Sequence, residues 1–564
     1  MNIAPAAGPR RHAPLIAFLA VLAGVVLFLY QRNHGLMPSV FADEWYYSRM
    51  SRLAPHAEAL VPSYLYIWLF GASKACGAGF LECVRAGNLL FLAGATPFVY
   101  LTARRYASAP WAGALALFSL LSPLNLYSAY FMPETTYYFG FCVLSWVALT
   151  RGGWHWAAQG ALAGLVVGLM SLVKVHALFL LPGVCLFLAY CAFQRGGRWL
   201  LPAAGAMLVT AGAALGAKFG LGYLLVDQAG LSLWGPFYGR AATTATTSML
   251  DQVLPALTSA KGHLIVLALL FALPLAVLGH LLCTRVLRRA DDPLGQLALY
   301  TLLTLGAAAA VTIMYTASLA MFGVEELMRL HLRYYSFGFP LLWTVAAAAA
   351  AADQRAPVLR WILALGLCAV LHQLWTDLPL YRLLMVDGPD IAGIDLAHPG
   401  TMALVVLQAA LLLGWAAGVR AAPLLFVFVA LPASLAAGQS SIGLELAKMR
   451  TPAPGDLAGP AVRQHVPAAE LPKLTIAGDN PQVLMRAQFA IDHPDTQILQ
   501  LPPGGAPLTR EQLPKDLSWM LMLGPNHLPP ELELVTNGPG YRLVRLAAPG
   551  GASAVAAAPA RSPH

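Results

Sequence analysis

Pro14–Tyr30, PLIAFLAVLAGVVLFLY, runs for seventeen residues without a charged side chain. As an α-helix rising 1.5 Å per residue it is about 26 Å long, close to the roughly 30 Å hydrocarbon core of a bilayer. Arg10 and Arg11 precede it; Asp43 and Glu44 follow it. A single run of this kind is equally a signal peptide. Comparable runs recur at 84–102, 111–129, 133–150, 156–173, 175–193, 199–219, 263–283, 297–319, 334–352, 358–376, 401–418 and 421–439. More than ten cannot be targeting segments. The sequence therefore predicts a polytopic α-helical membrane protein of about thirteen transmembrane helices.

Composition points the same way. Of 564 residues, 58% are hydrophobic and 11% charged, less than half the roughly 25% charge of a soluble domain. Mean hydropathy is +0.65. A net charge of +9 in a soluble protein raises nucleic acid as a partner. Here topology accounts for the excess, and no nucleic acid is expected. With the N-terminus in the cytoplasm, every cytoplasmic connection carries arginine: Arg10 and Arg11, Arg104 and Arg105, Arg151, Arg195 and Arg198, Arg285, Arg288 and Arg289, Arg355 and Arg360, Arg420. That is the positive-inside pattern. The opposite loops hold mostly acids, among them Asp43, Glu44, Glu134, Asp377, Asp387 and Asp390. An odd number of spans places the C-terminus outside, and the expected location is a bacterial inner membrane.

Three outer segments are long: 31–83, 220–262 and 377–400. Long structured loops on one face of a bundle usually build a site. The first contains Tyr64-Leu65-Tyr66-Ile67-Trp68-Leu69-Phe70, too short to cross and suited to a helix lying in the interface. The transmembrane domain is expected over 1–445. From 446 to 547, Pro, Asp, Asn and Gln rise. Short strands are predicted at Leu474–Ile476, Gln497–Leu499, Trp519–Leu523 and Tyr541–Leu546, with a helix at Pro481–Phe489 opened by Asp479 or Asn480. This is a small external α/β domain; 548–564 is an expected disordered tail. Cys76 and Cys83 lie in the first outer segment and read as two reduced thiols.

Five constellations carry chemistry. Asp43-Glu44, just beyond the first span, is a pair of carboxylates at a membrane surface, where partial desolvation raises proton affinity and suits general-base work. A solvated acid pair is the plainer reading. Arg85, at the mouth of the second span, can grip a phosphate bidentately, or simply snorkel. Glu134, after Pro133, is a helix N-terminal acid or a second site acid. Lys174 and His176 share an outer turn and can complete a phosphate site. Glu325 to Tyr334 packs six ionisable side chains into ten residues. Pairing such as Glu325 with Arg329 is one reading, and contact with an anionic headgroup the other. Lys218 is expected to snorkel. There is no Walker, HExxH or GxSxG motif, so nucleotide-dependent chemistry is not expected.

A first span followed by Asp43-Glu44, then the interfacial stretch Pro62–Gly71, then Val84-Arg85, resembles the C-type (GT-C) glycosyltransferase superfamily. The resemblance is nearest to the bacterial aminoarabinose transferases acting on lipid A, related lipid A sugar transferases, and protein O-mannosyltransferases. Arg333-Tyr334 with Pro340 is similar to their Arg-Tyr…Pro segment. It implies a GT-C-like core with external interfacial helices, and inverting transfer from a polyprenyl-phosphate-linked sugar to a glycolipid, glycan or protein acceptor, among membrane lipids. Asp43 matches the family's acid, Glu44 its acidic neighbour, and Arg85 the basic residue before the second span. Arg85, Lys174, Arg329 and Arg333 are the expected donor-phosphate ligands; Glu134, His176, Tyr64 and Tyr334 the expected substrate contacts. No cofactor is certain; a divalent cation shared by Asp43 and Glu134 is the possible one. The aminoarabinose transferases carry Lys-Pro where this chain has Val61-Pro62; Lys174, His176 or Arg329 could supply the lost cation. Two other classes compete: a lipid or sugar transporter, and a ligase or polymerase using polyprenyl diphosphate.

Overall fold

The computed structural model describes residues 13–39, 41–237, 250–287, 291–350, 356–503, 508, 517–525, 527–529 and 532–546. The expectations for Arg10, Arg11, Arg288, Arg289, Arg355 and the tail 548–564 lie outside them. Two compact units result: Met1–Leu36 with Met50–Lys448, and Met37–Arg49 with Met449–His564.

The first unit is helical. Its elements are α1 (Ala13–Asn33), α3 (Tyr64–Gly71), α4 (Phe80–Ala103), α5 (Ala109–Leu120), α6 (Glu134–Thr150), α7 (Trp156–Ser171), α8 (Leu181–Gln194) and α9 (Leu200–Val226). They continue with α10 (Val253–Arg285), α11 (Pro293–Ser318), α12 (Phe339–Ala349), α13 (Pro357–His372), α14 (Pro399–Ala416) and α15 (Leu431–Lys448). Helix α2 (Phe41–Arg52) carries the first-loop acids. Every predicted span falls on a helix, yet not every helix is a full span. Among the described residues nine are long and apolar enough to cross, or ten if α5 and the 46° bent turn Pro123–Ala129 count as one. The expectation of thirteen is corrected accordingly. Length separates α7 and α12, with 16 and 11 residues or about 24 and 17 Å against roughly 30 Å of hydrocarbon; α6, with 17 residues, is at the lower limit and opens on the polar Glu134-Thr135-Thr136.

Small residues let these short helices pack closely. Gly160, Gly164 and Gly168 place one face of α7 against α9, and a methyl group at Gly164 or Gly168 would strike the backbone carbonyls of Thr210 or Ala214. This small-residue spacing is how apolar helices approach when no water drives them together. Pro274 cannot donate to the carbonyl four residues back, and α10 leaves helical geometry at Phe271. One loop differs from expectation: Cys76 and Cys83 form a disulfide, because the turn before α4 brings their Cα atoms to 6.6 Å.

The second unit is a five-stranded sheet, ordered β2-β1-β3-β5-β4, from β1 (Leu474–Gly478), β2 (Gln497–Gln500), β3 (Trp519–Leu523), β4 (Glu533–Gly538) and β5 (Tyr541–Arg545). β1 pairs in parallel with β2 and β3; β5 runs antiparallel to β3 and β4. Helices α16 (Pro454–His465) and α17 (Pro481–Ile491) pack together, close enough that a Cβ at Gly455 or Gly459 would meet α17 backbone. Asn480 caps α17, its Oδ1 accepting from Gln482 N at 3.0 Å. Leu474, Ile476, Leu484, Ile491, Trp519, Leu521 and Leu543 form one core. β4 and α16 were not predicted: β4 is largely exposed and polar, and α16 carries Pro460 and two glycines, all poor signals. Residues 37–49 belong here. Met37 N donates to Met449 O at 2.8 Å, Arg49 Nε to Pro494 O at 3.2 Å, and Trp45 meets Phe489 edge-on at 5.9 Å.

Candidate active site

In the first unit the ends of three elements converge on a cleft. Pro133 opens α6, and Glu134 occupies its first turn, where a carboxylate is favoured by the helix dipole. The chain leaves α7 at Ser171, passes Lys174 in extended backbone, and enters the turn Val175–Leu180 that carries His176. Arg333 and Tyr334 come from the turn Leu332–Tyr334 ahead of α12. Lys174 Nζ donates to Glu134 Oε1 at 2.8 Å, with 11% and 5% of the two side chains exposed. Glu134 Oε2 is enclosed without a hydrogen-bond partner. His176 stacks on the Tyr334 ring at 5.0 Å; Lys174 Nζ lies 4.9 Å from the same ring centroid. Arg333 Nη2 donates to Tyr334 Oη at 3.1 Å. Leu124, Tyr127, Tyr137 and Phe337 complete the walls of a narrow cleft. Two cations, one carboxylate oxygen and an aromatic wall suit an anion joined to a flat, hydroxyl-bearing ring.

Behind Arg333 sits a second charge cluster, built on a residue that the sequence reading treated only as a loop acid. Asp387 is fully buried. Arg329 donates to its Oδ2 from Nη2 at 2.7 Å and from Nε at 3.1 Å. His331 Nδ1 lies 3.2 Å and Arg333 Nε 3.6 Å from Oδ1. Arg333 N also donates to the Asp387 carbonyl at 2.7 Å. Burial pushes the Asp387 carboxyl up, but the His331 hydrogen bond and the charges of Arg333, His331 and Arg329 outweigh it and hold it well below the usual carboxylate range. Burial works against charge on Arg329 as well, yet Asp387 and Glu326 raise its pKa. Arg329 therefore serves the fold here, bonded to Asp387 and to Glu326 at 2.7 Å, and it is not among the cleft's lining residues. The expected Glu325–Arg329 pair is replaced by Glu326–Arg329 and Glu325–Arg382. Helix α11 ends before this stretch, so i,i+4 spacing on one continuous helix does not apply.

Other predicted residues lie elsewhere. Arg85 is 3% exposed and turned inward: Nη1 to Glu82 at 2.8 Å, Nε to Ala129 O at 3.0 Å, Nη2 to Leu36 O at 2.7 Å. It clamps three chain segments rather than facing the cleft, because two main-chain carbonyls and an acid one turn earlier lie within its reach. Tyr64 is also outside the cleft. Its Oη donates to Ala229 O at 3.1 Å, and Lys218 Nζ lies 5.6 Å from its ring. Lys218 does not snorkel: it is fully buried and donates to Ser232 O at 3.3 Å. Asp43 and Glu44 belong to the second unit. Glu44 is 1% exposed, its Oε2 accepting from Ser39 N at 2.8 Å, which closes the entry to α2; Asp43 beside it is partly exposed. Among the described residues no group of three or more His, Cys, Asp or Glu side chains is placed to hold a metal ion. Asp43 and Glu134, the expected holders of a shared cation, belong to different units, and Glu134 Oε1 accepts from Lys174.

No protein-family model and no curated protein matches the chain. Among solved structures it is similar to ArnT from Cupriavidus metallidurans bound to undecaprenyl phosphate, at 15% identity and a TM-score of 0.49, over 95% of this chain and 98% of that one. It is similar to the Archaeoglobus fulgidus oligosaccharyltransferase tethered to an acceptor peptide, at 13% identity and a TM-score of 0.45, over 90% and 69%. A third likeness is to the arabinofuranosyltransferase AftD from mycobacteria, at 14% identity and a TM-score of 0.45, over 96% and 42%.

Proposed function

We propose that this protein is an inverting C-type glycosyltransferase of the bacterial inner membrane. It moves a sugar from a polyprenyl-phosphate carrier to a cell-envelope acceptor on the outer face. The buried Lys174–Glu134 pair beside Arg333 and Tyr334 carries the reading. A polyprenyl tail is insoluble in water, so its phosphate must be met where apolar helices end, and this cleft lies at such an end. No ATP is available outside, and a sugar phosphodiester is already activated. The acceptor oxygen attacks the anomeric carbon, the bond from that carbon to the phosphate oxygen breaks, and polyprenyl phosphate leaves with added negative charge. Lys174 and Arg333 stabilise that charge as it develops. The Tyr334–His176 stack forms a wall for the sugar, and Glu134 Oε2 accepts from one of its hydroxyls. Asp43 takes the acceptor's proton, a role it carries through the sequence resemblance. The Cys76–Cys83 disulfide supports the outward placement of the turn before α4, since cytoplasmic thiols are kept reduced.

The test uses full-length protein in proteoliposomes with a labelled polyprenyl-phosphate sugar, following free polyprenyl phosphate and glycosylated acceptor by mass spectrometry. Lys174→Ala should stop carrier release, and Asp43→Asn should stop transfer with folding and insertion intact. A fully active Asp43→Asn enzyme removes the proposed base. Unchanged carrier release by Lys174→Ala removes the site itself.

A further inference from the structure

At the opposite end of α6, about 24 Å from Glu134 by helical rise, lies a larger cleft of about 1060 Å³ counting its open mouth. It sits where α4, α6 and α8 finish. Arg104, Arg105 and Arg195 line it, and among the described lining residues the only acid is Asp291. Its centre is organised by Gln296, which is 6% exposed. Gln296 Nε2 donates to Asp291 Oδ1 at 2.6 Å and to Gln194 Oε1 at 2.9 Å, while its Oε1 accepts from Arg105 Nη2 at 3.1 Å. Arg105 also donates to Leu149 O, Arg195 to Gly152 O, and Arg104 to Ala107 O.

Capping Leu149 O in the last turn of α6 explains one bond from Arg105, and holding the turn that follows, at Gly152 O, explains one from Arg195. It does not explain why three guanidinium groups gather round an open space with a single carboxylate. Each guanidinium has five N–H donors, and the bonds above use at most two of them. Gly153 borders the same space, and a Cβ there would meet nothing within 4 Å. The apolar part of the lining is Leu101, 43% exposed, with Ala148 and Cys191. No aromatic ring is among the described lining residues, so a nucleotide base would find no stacking surface.

We infer that this cleft binds the phosphate of an anionic lipid headgroup, with Arg104, Arg105 and Arg195 on the phosphate and Leu101 along the first acyl carbons. Basic pockets between helices at a membrane boundary commonly hold such headgroups. The site is separate from the transfer cleft and does not depend on the function proposed for it. A free phosphate ion shares the chemistry but gains nothing from the apolar wall.

Native mass spectrometry of the full-length protein, released from nanodiscs holding equal phosphatidylglycerol and phosphatidylcholine, decides the point. The expected result is preferential retention of phosphatidylglycerol by wild type and by Gly153→Ala, and its loss in Gly153→Glu, which adds a second carboxylate at a lining position whose Cβ has open space around it. Thermal unfolding of both variants in detergent checks that they fold. Equal retention of the two lipids by wild type, or unchanged phosphatidylglycerol retention by a folded Gly153→Glu protein, overturns the proposal. Binding of inorganic phosphate in the absence of any lipid preference overturns the lipid source.

Discussion

Exchanging Lys174 and Glu134 for apolar residues of similar size, singly and together, separates a structural ion pair from a working one. Nζ and Oε1 are 2.8 Å apart and both side chains are nearly dry. Removing one partner of a buried pair strands the other charge, at a cost of about 3–5 kcal/mol. Replacing both with well-packed apolar residues is often neutral. Lys174→Met and Glu134→Leu should each therefore lower the melting temperature in detergent, and the double variant should recover most of the loss. Transfer should follow a different course. If Lys174 stabilises charge on the leaving phosphate, its removal costs a factor of about 10²–10³ in turnover, as for other preorganised donors. Restoring stability in the double variant should then restore none of that turnover. The assays are scanning fluorimetry and initial rates of labelled sugar transfer, each on wild type, both single variants and the double. A double variant whose stability and turnover recover together would falsify the reasoning, since Lys174 would then serve only the fold.

Asp390 carries a pH signature. Burial raises its carboxyl from 3.8 to about 7, and Oδ2 has no hydrogen-bond partner. The folded state then holds a proton that the unfolded chain gives up, so the stability linked to this group is complete below about pH 4 and falls as pH rises towards 7. Asp390→Asn should be gained upon at pH 5 by wild type relative to pH 8 in melting temperature; parallel profiles for the two proteins would refute the assignment. Arg85→Lys keeps the charge but cannot make all three bonds, and each carbonyl left unsatisfied costs about 1–3 kcal/mol; yield and melting temperature should fall while KM for the donor holds. A raised KM at unchanged stability would instead make Arg85 a ligand. Cys83→Ser opens an eight-residue loop, whose closure is worth about 2–3 kcal/mol by chain entropy; thermal stability should drop with transfer retained, and a thiol probe should label Cys76 in the variant but not in wild type.

The apolar runs were legible because a helix in lipid must satisfy its own backbone, and that demand writes itself into composition. Which runs become full spans was not, because α6, α7 and α12 end at 17, 16 and 11 residues inside longer apolar runs, and no local pattern announces where they stop. The second unit's parallel strands β1 and β3 were legible for a related reason. Both are buried along their whole length and read as short apolar runs between turn signals. Within the site, Glu134, Lys174, His176, Arg333 and Tyr334 stood out as charge or aromaticity at the end of an apolar run, and the structure brings all five to one cleft.

Arg85 and Arg329 stood out by the same signal and do not line that cleft, and the difference has a physical cause. A guanidinium at a membrane mouth is available to a ligand only when its N–H groups are not already satisfied. For Arg85 the competitors are Glu82, three residues away, and the carbonyls of Leu36 and Ala129. For Arg329 the main one is Asp387, 58 residues along the chain. Glu82 could have been weighed from spacing alone, since i and i+3 share a helix face. Asp387 could not, because nothing in a single sequence pairs two charges across the intervening helices α12 and α13. Lys174 Nζ donates to Glu134 Oε1 at 2.8 Å, and Lys174 lines the cleft beside a carboxylate whose second oxygen has no hydrogen-bond partner. A phosphate entering the cleft meets a cation already fixed in place, and the ordering of that long side chain, worth up to about 2 kcal/mol, is settled during folding rather than at each encounter with the donor.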